Sequence, residues 1–402
     1  MKCSLALIPL TLAAWCYADF APPIVNISLD EPPKERWAPL MKVIDVSYFR
    51  NILPQIIAQV GNPKWVHQAI KPVVETLEDY IPQHYAGEIQ GLASLSGIDI
   101  TDIILANFVY EITAFCTSIV AQDTNGRIYH GRNMDFAFVE ILRNLTVDII
   151  FIRDGKVAYR GTSFAGYVGL WTGQSANKFT ISGNQRDDGF SLENVTLAII
   201  LKNTPASWLI RETLEEAASY QDALERLSKV PIITPVYYIV GGVQPGEGAV
   251  VTRNSSGAAD VWELDPPHGQ WFRVETNYDH WNPPPHGDDR RTPTIKALND
   301  TGQKNINLDS LFKVLSANAT CNRGTIYTTV MSAGTPEKYR TVMREKCNWI
   351  GVPRSTNTPQ TVSVSIGIIF IFCVCSIGLY FTELLRRQRR RKKNGSYNSK
   401  LL

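Results

Sequence analysis

The sequence predicts an α+β fold in which sheet layers pack against helices, and three observations predict it. Apolar residues recur three and four apart through the N-terminal quarter. From Cys116 the pattern turns to short β-prone runs punctuated by tight-turn signals. One helical stretch then interrupts the strands before they resume. Separate helical and strand blocks of this kind build layered α+β domains. At 402 residues, 44% hydrophobic and 19% charged, the chain has room for a substantial core and lies outside the disordered class.

Residues 1–18 carry one early lysine, the apolar run SLALIPLTLAAW and small residues near Ala18, the pattern of a cleavable signal peptide. From Asp19 to Phe115 the reading is helical. WAPLMKVIDVSYFRNILPQII and WVHQAIKPVVETLEDYI have helical spacing, Gly97 closes one segment, and Asp99 or Thr101 caps the next, TDIILANFVYEITAF, which runs into Cys116. CTSIVAQD and RIYHGRNMDF then flank Thr124-Asn125-Gly126, a hairpin signal. NLTVDIIFIRDGKVAYRGTSF reads as a strand pair around Asp154-Gly155, followed by KFTISG. SWLIRETLEEAASYQDALERLSKV is the interrupting helix; PVYYIVGG, GAVVTR and ADVWELD resume the strands, and LDSLFKVL and PEKYRTVMREKC read as later helices.

A polar stalk is expected over residues 351–361, where the run RSTNTPQTVSVS starts at Arg354 and continues into the next segment. Val362 to Phe381 carries no charge. As a helix of about 20 residues it would be roughly 30 Å long, the thickness of a bilayer core. RRQRRRKK follows directly and would stay cytoplasmic, giving a type I topology with residues 382–402 as a basic tail. The 40 basic residues include Lys2 and eight beyond Phe381, where Glu383 is the only acid. Residues 19–381 therefore hold 31 basic against 37 acidic side chains, about −6. That balance lacks the basic face of a nucleic-acid partner and makes the tail a membrane-surface anchor.

Of seven cysteines, Cys3 and Cys16 lie in the leader and Cys373 and Cys375 in the span. Cys116, Cys321 and Cys347 remain, an odd number. Cys321 and Cys347 are near neighbours and can close a loop contributing about 3.5 kcal/mol from chain entropy, which leaves Cys116 as the free thiol. Six glycosylation sequons, at Asn26, Asn144, Asn194, Asn254, Asn299 and Asn318, fit a secretory route.

The chemistry concentrates in CTSIVAQDTNGRIYHGRNMDF, Cys116 to Phe136. A thiol is mostly protonated in an acidic compartment, because a free cysteine titrates near 8.5, so it needs a base beside it. Cleavage of the Phe115–Cys116 bond would supply one, the freed α-amine, whose ordinary pKa is about 7.7–8.0. One residue then acts as nucleophile and proton acceptor.

This segment resembles the cysteine branch of the N-terminal nucleophile hydrolases, within it the acid ceramidases and N-acylethanolamine-hydrolysing acid amidases. The resemblance continues through GYVGLWTGQ, SWLIR, YYIVGG, WFRVETNYDHW, DDRRT and TIYTTVMSAG, nearly everything from Asp19 to Trp349. It implies an αββα sandwich cut just before Cys116, with a helical α-chain (19–115) and a catalytic β-chain (116–350). It assigns Arg132 to favouring the thiolate and orienting the substrate carbonyl. Asp135 would hold the α-amine, and Asn277 the tetrahedral oxyanion. Arg290 is a supporting residue on weaker grounds. One by one, Arg132 and Asp135 also read as a cross-strand ion pair and Asn277 as a turn former; together with a strand-opening cysteine they read as catalytic. Where related amidases carry a glutamate in a motif like GDERD, this chain has Gln185, which keeps the reach and loses the charge. The apolar span is a second departure.

His67, His84, His130, His268, His280 and His286 show no metal-ligand spacing, and no metal or cofactor is expected. Gly161-Thr162-Ser163-Phe164-Ala165 lacks the second glycine of a serine-hydrolase elbow. GGVQPGEG reads as a hairpin connection because no helix pattern follows it. No cysteine lies between Asp19 and Phe115, so the two pieces would form a non-covalent heterodimer held by packing. Trp37, Trp65 and Tyr85 are candidates for a lipid-facing groove mouth. The expected activity is amide hydrolysis of N-acylethanolamines in the lysosome, with ceramide hydrolysis the alternative inside the class. A non-catalytic type I membrane glycoprotein is the alternative outside it. The terminal SKLL only weakly resembles a sorting signal.

Overall fold

A computed structural model describes residues 19–60, 81–109, 115–136, 138–186, 203–345 and 347. The expected signal peptide, stalk, apolar span 362–381, basic tail, Asn194, Trp65 and most of the helix expected at 65–81 lie outside these residues. Among the described residues no helix is long and apolar enough to cross a membrane.

The segment before Cys116 begins with a feature that periodicity missed. Ile24–Ser28 is a strand, β1, alternating exposed and buried residues. Among the described residues three α-helices follow: α1 (Val46–Val60), α2 (Gln83–Ser96) and α3 (Ile100–Val109). Gly97 ends α2 with φ +69°, and the Asp99 carboxylate accepts from the Thr101 N–H at 2.7 Å at the head of α3, both as expected. The strand was hidden because its five residues show only two inward positions, Val25 and Ile27.

From Cys116 the expected strands form. β2 (Phe115–Gln122) and β3 (Ile128–Asp135) are an antiparallel hairpin whose turn is closed by Asp123, accepting from the Asn125 and Arg127 N–H groups. A short unforeseen helix, α4 (Val139–Leu145), precedes β4 (Thr146–Arg153) and β5 (Lys156–Phe164), which turn at Asp154-Gly155 with positive φ at both residues. β6 (Thr172–Ser175) and β7 (Phe179–Gln185) complete this run. The expected single helix at 207–230 is two, α5 (Ala206–Glu216) and α6 (Tyr220–Lys229). Ala217 is extended, and Ser219 caps α6 by accepting from the Asp222 N–H while the Asp222 carboxylate accepts from Ala218 N–H. That local capping outcompetes continuous helix.

β8 (Val236–Gly241) and β9 (Gly248–Arg253) form a hairpin across GGVQPGEG, as read, and β10 (Ala258–Glu263) and β11 (Phe272–Glu275) follow. α7 (Arg291–Thr301), α8 (Leu308–Leu315), β12 (Thr325–Met331) and β13 (Arg340–Met343) end the described chain. The helix expected over PEKYRTVMREKC is thus a correction: Arg340–Met343 pairs antiparallel with β12, because Thr341 and Met343 alternate inward along an open sheet edge.

The strands make two sheets, β1-β4-β5-β6-β7-β8-β9-β10 and β11-β2-β3-β12-β13. They pack face to face through β2 against β7, β8 and β9, and β3 against β8. α7 and α8 cover the outer face of the smaller sheet; α5 and α6 cover the larger. The result is the αββα sandwich expected. β2 shows the logic of alternation: Ile119 and Ala121 join the outer cluster with Leu298, Leu311 and Leu315, while Val120 turns inward among strand residues of both sheets. α8 lies so close to β3 that a Cβ on Gly131 would meet Leu315 at 2.8 Å, which is why glycine stands there.

The N-terminal helices share the large core with α5 and the β4–β5 pair. Tyr85 packs on Trp208 at 4.3 Å and Trp37 on Phe151 at 6.4 Å. Trp37 and Tyr85 are each 1% exposed, so neither lines a lipid-facing mouth; each contributes about 1.5–3 kcal/mol of burial instead. Cys321 and Cys347 are joined by a disulfide and Cys116 is free, as read. Asn26, Asn144, Asn254, Asn299 and Asn318 are all exposed.

Candidate active site

Cys116 stands on β2 with Met134 of β3 opposite, and the hairpin brings Arg132 opposite Ser118 on the same face. The thiol is fully buried between the sheets. Arg132 Nη2 donates to Cys116 Sγ at 2.7 Å and to the Gly183 carbonyl at 3.2 Å. Its Nη1 donates to Thr172 Oγ1 at 2.7 Å, Tyr327 OH at 3.2 Å and the Trp171 carbonyl at 3.4 Å. The guanidinium is therefore clamped by neutral acceptors from β6, β7 and β12, and none of these bonds consumes its charge in a carboxylate. Its positive field is left to the sulfur.

The nitrogen of Cys116 is held separately. It donates to Asn277 Oδ1 at 2.8 Å, and Arg290 Nη2 donates to the same oxygen at 2.8 Å. Asn277 Nδ2 donates to the Gln185 carbonyl at 2.8 Å. With the Phe115–Cys116 bond intact, the Asn277 amide presents its oxygen to the cysteine nitrogen and its donor to the Gln185 carbonyl. Gln185 enters the site through its main-chain carbonyl.

Arg290 sits just before α7, and its Nη1 reaches the Cys116 carbonyl at 2.6 Å and Asp135 Oδ2 at 3.5 Å; Asp288 grips it at 2.6 and 2.9 Å. Asp135 is further held by Thr325 Oγ1 at 2.7 Å and Asn322 Nδ2 at 2.9 Å. The alternative reading of Arg132 and Asp135 as an ordinary cross-strand ion pair is not met, since both lie on β3 and Asp135 pairs with Arg290 instead.

The electrostatics oppose one another. Burial pushes the Cys116 thiol up; Arg132 is the main force pulling it down, Asp135 pushes it up again, and Arg290 and the Asp135 N–H pull it down. Burial likewise raises Asp135, against Arg290, Thr325 and Asn322. Two guanidiniums thus sit on either side of a cysteine whose sulfur and nitrogen each have a fixed partner. Such an arrangement can stabilise a thiolate and hold a nitrogen in position.

Every residue singled out for the site, Cys116, Arg132, Asp135, Gln185, Asn277 and Arg290, converges here. Tyr327, Thr172, Asp288, Asn322 and Thr325 were missed as participants. Asp288, Thr325 and Tyr327 fall in the DDRR and TIYTTVM blocks, whereas Asn322 is marked only by its place beside Cys321. Of the histidines, His130 is buried and bonded to Thr180 and Ser182, and His268 and His280 contact Asp265 and Asp260. Among the described residues no cluster of histidine, cysteine and carboxylate could hold a metal. Ser163 of the near-elbow sequence donates to the Gly169 carbonyl, inside β5.

Two family models match the chain on either side of the Phe115–Cys116 bond. The beta subunit of N-acylethanolamine-hydrolyzing acid amidase matches residues 20–81, and the linear amide C–N hydrolases of the choloylglycine hydrolase family match residues 116–291, beginning at Cys116. The N-acylethanolamine-hydrolyzing acid amidase of Cavia porcellus is 52% identical over 334 residues, 83% of this chain and 94% of that protein. The chain belongs to the N-acylethanolamine-hydrolyzing acid amidase family. It is an amidohydrolase of linear amides, and a cysteine nucleophile is consistent with that family. The acid ceramidase of Bos taurus is more distant, 37% identical over 349 residues, 80% of this chain and 86% of that protein. The solved structure of the Caenorhabditis elegans N-acylethanolamine-hydrolyzing acid amidase ortholog is 38% identical with a TM-score of 0.53, and covers 57% of this chain and all of that chain.

Proposed function

We propose that this amidohydrolase cleaves N-acylethanolamines to a fatty acid and ethanolamine through an acyl-thioester on Cys116, after the Phe115–Cys116 bond has been cut. The observation that carries the reading is the double hold on one residue. Arg132 lies 2.7 Å from the Cys116 sulfur, and Asn277 lies 2.8 Å from its nitrogen. The mammalian relatives named for N-acylethanolamine hydrolysis, 50–52% identical against 37–38% for the acid ceramidases, favour the first substrate.

In this reading the freed α-amine takes the thiol proton and the thiolate attacks the amide carbonyl. The tetrahedral oxyanion collapses with loss of ethanolamine, which carries off the proton from the α-ammonium. Water, deprotonated by the same amine, then opens the thioester to fatty acid and free thiol. Arg132 stabilises the thiolate, and Asp135, pinned by Arg290, Asn322 and Thr325, holds the α-ammonium.

The pieces 19–115 and 116–350 stay together as a non-covalent heterodimer. The signal peptide, exposed sequons, apolar span and basic tail support a lumenal catalytic part, anchored by a type I span in lysosomal membrane near its lipid substrate. The full chain, expressed with its span and incubated at acidic and neutral pH beside Cys116→Ala, tests this. Fragment N-termini and hydrolysis of palmitoylethanolamide and ceramide are measured. A new N-terminus at Cys116 with palmitoylethanolamide turnover, both absent in the variant, is expected. Turnover surviving in Cys116→Ala, or ceramide as the better substrate, would overturn the reading.

A further inference from the structure

Between the two sheets, away from the ligands of the thiol, lies a line of buried polar side chains that the reaction does not use directly. Thr180, Ser182 and Asn184 occupy alternate positions of β7 and so share one face; Ser118 of β2 and His130 of β3 project towards them. Each is at most 1% exposed. A run of polar groups in the driest layer of the fold is costly unless every member is satisfied, and here the bonds also have a single possible direction.

Asn184 sets that direction. Its Nδ2 donates at 3.0 Å to two main-chain carbonyls, those of Glu275 and Thr276, which can only accept. Its Oδ1 must then accept, and it does so from Ser118 Oγ at 2.8 Å. Ser118 in turn accepts from Ser182 Oγ at 2.9 Å. Ser182, having spent its proton, accepts from His130 Nε2 at 2.8 Å, so the imidazole is the Nε2–H tautomer. Its Nδ1 accepts from Thr180 Oγ1 at 2.9 Å. The chain runs Thr180 to His130 to Ser182 to Ser118 to Asn184 and ends on the two residues that immediately precede Asn277.

We propose that this one-way hydrogen-bond chain positions Asn277 over the nitrogen of Cys116, making His130, Ser182, Ser118 and Asn184 positioning residues for the nucleophile. This rests on the reading of Cys116 as the nucleophile given above. β7 grips the segment Glu275–Asn277 at three successive points: the Asn184 side chain takes the first two carbonyls, and the Gln185 carbonyl takes the Asn277 amide. With Nδ2 so engaged, Asn277 Oδ1 is turned to the Cys116 N–H. Loss of any link lets Asn184 rotate its amide, and the grip on the two carbonyls goes with it. Burial, with Arg132 nearby, holds His130 neutral down to about 3, so the chain keeps its direction through the acid range. Protonation of Nδ1 would reverse the Thr180 bond, leaving the threonine to donate to the Gly241 carbonyl at 3.2 Å.

The test uses the full chain with Ser118→Ala, Ser182→Ala, the double variant, His130→Leu and His130→Gln, whose amide N–H can take the place of Nε2–H. Turnover of palmitoylethanolamide and the pH profile of Cys116 alkylation by iodoacetamide are measured, with melting temperature as the control for folding. Each single break is expected to lower kcat about tenfold, equivalent to about 1.4 kcal/mol, with KM within about twofold of wild type. The double variant should be no worse than the lower single, because a chain fails as a unit. His130→Gln should recover most of the loss, and the alkylation profile of Ser118→Ala should match that of Asn277→Ala. Unchanged kcat in a folded variant, additive losses, or a wild-type alkylation profile in Ser118→Ala would overturn the proposal. Thr180→Val, of nearly the same shape, probes the far end of the chain should a serine variant fail to fold. A wild-type enzyme inactive on palmitoylethanolamide would instead count against the proposed substrate, and the alkylation profiles would still decide the positioning role.

Discussion

Glu88 of α2 and Arg211 of α5 form a fully buried two-bond ion pair, 2.6 and 2.7 Å, across the boundary between the segments that precede and follow Cys116. The Trp37 indole donates to the same carboxylate at 2.8 Å and Arg36 at 3.1 Å, while Arg211 also reaches Tyr159 OH and the Val168 carbonyl. Removing one partner strands the other charge, at a cost of about 3–5 kcal/mol. Glu88→Ala should melt well below wild type and release the N-terminal piece after cleavage, as gel filtration of cleaved protein would show. Glu88→Leu with Arg211→Met should recover much of the loss. The pair also has a pH signature. Burial alone would raise Glu88, but Arg211 first, then its hydrogen bonds, holds it below the ordinary carboxylate range. Its stabilisation is therefore present above the ordinary glutamate pKa and is lost only as pH falls through the lower folded value, so the contact survives mild acid.

Arg132 is expected to be irreplaceable even by lysine. A single ammonium cannot serve the sulfur, Thr172, Tyr327 and two carbonyls from one planar fork. Arg132→Met should move Cys116 alkylation to higher pH and lower kcat about 100-fold or more. Arg132→Lys should restore the alkylation profile in part while leaving most of the kcat loss. An iodoacetamide titration beside an activity assay separates the two effects.

Glu275 predicts the opposite pH trend from Glu88. Its carboxylate is fully buried, accepts from the Thr276 N–H at 2.9 Å through one oxygen, and among the described residues has no hydrogen-bond partner for the other. Burial pushes it up to about 8 from the ordinary 4.5. Between those values the folded chain holds a proton that the unfolded chain has released, so stability falls as pH rises across that window. Glu275→Gln should flatten this slope, as melting curves taken across the window would show. A wild-type slope in the variant would mean that the proton sits elsewhere.

The disulfide Cys321–Cys347 should matter to catalysis as well as to stability. Asn322 directly follows Cys321 and Thr325 lies four residues beyond it, and these two supply the shortest bonds to Asp135. Cys347→Ser is expected to cost about 3.5 kcal/mol by chain entropy, read as a lower denaturant midpoint. Activity should also fall further than the unfolded fraction accounts for, because Asp135 loses its fixed carboxylate geometry.

Much of this site was legible because its residues lie where sequence signals are strong. Cys116, Arg132 and Asp135 sit on one hairpin with a marked turn, and Asn277 and Arg290 fall inside distinctive blocks. What escaped depended on contacts distant in sequence. β1 pairs with a strand more than 100 residues away, and nothing local marks its five residues. Arg340–Met343 has a helix-like composition but is drawn into a sheet by β12. The break at Ala217 depends on one serine cap that outweighs a strong helical pattern. Trp37 and Tyr85 looked exposed only because their cover, Phe151 and Trp208, comes from beyond Cys116, far along the chain. The orientation of the Asn277 amide follows from a carbonyl on a different strand, which no spacing encodes.

The parallel pairing of β1 with β4, Ile24 to Ser28 against Asp148 to Ile152, has a consequence for making the protein in pieces. β4 has β5 on one side and only β1 on the other. A chain begun at Cys116 would therefore expose the bare main chain of an apolar strand, VDIIF, to any neighbour able to hydrogen-bond to it. Exposed edges of this kind seed aggregation. The N-terminal segment is in this sense a built-in shield against self-association, and under the proposed processing it must be in place before the cut. Synthesis as one continuous chain guarantees that order.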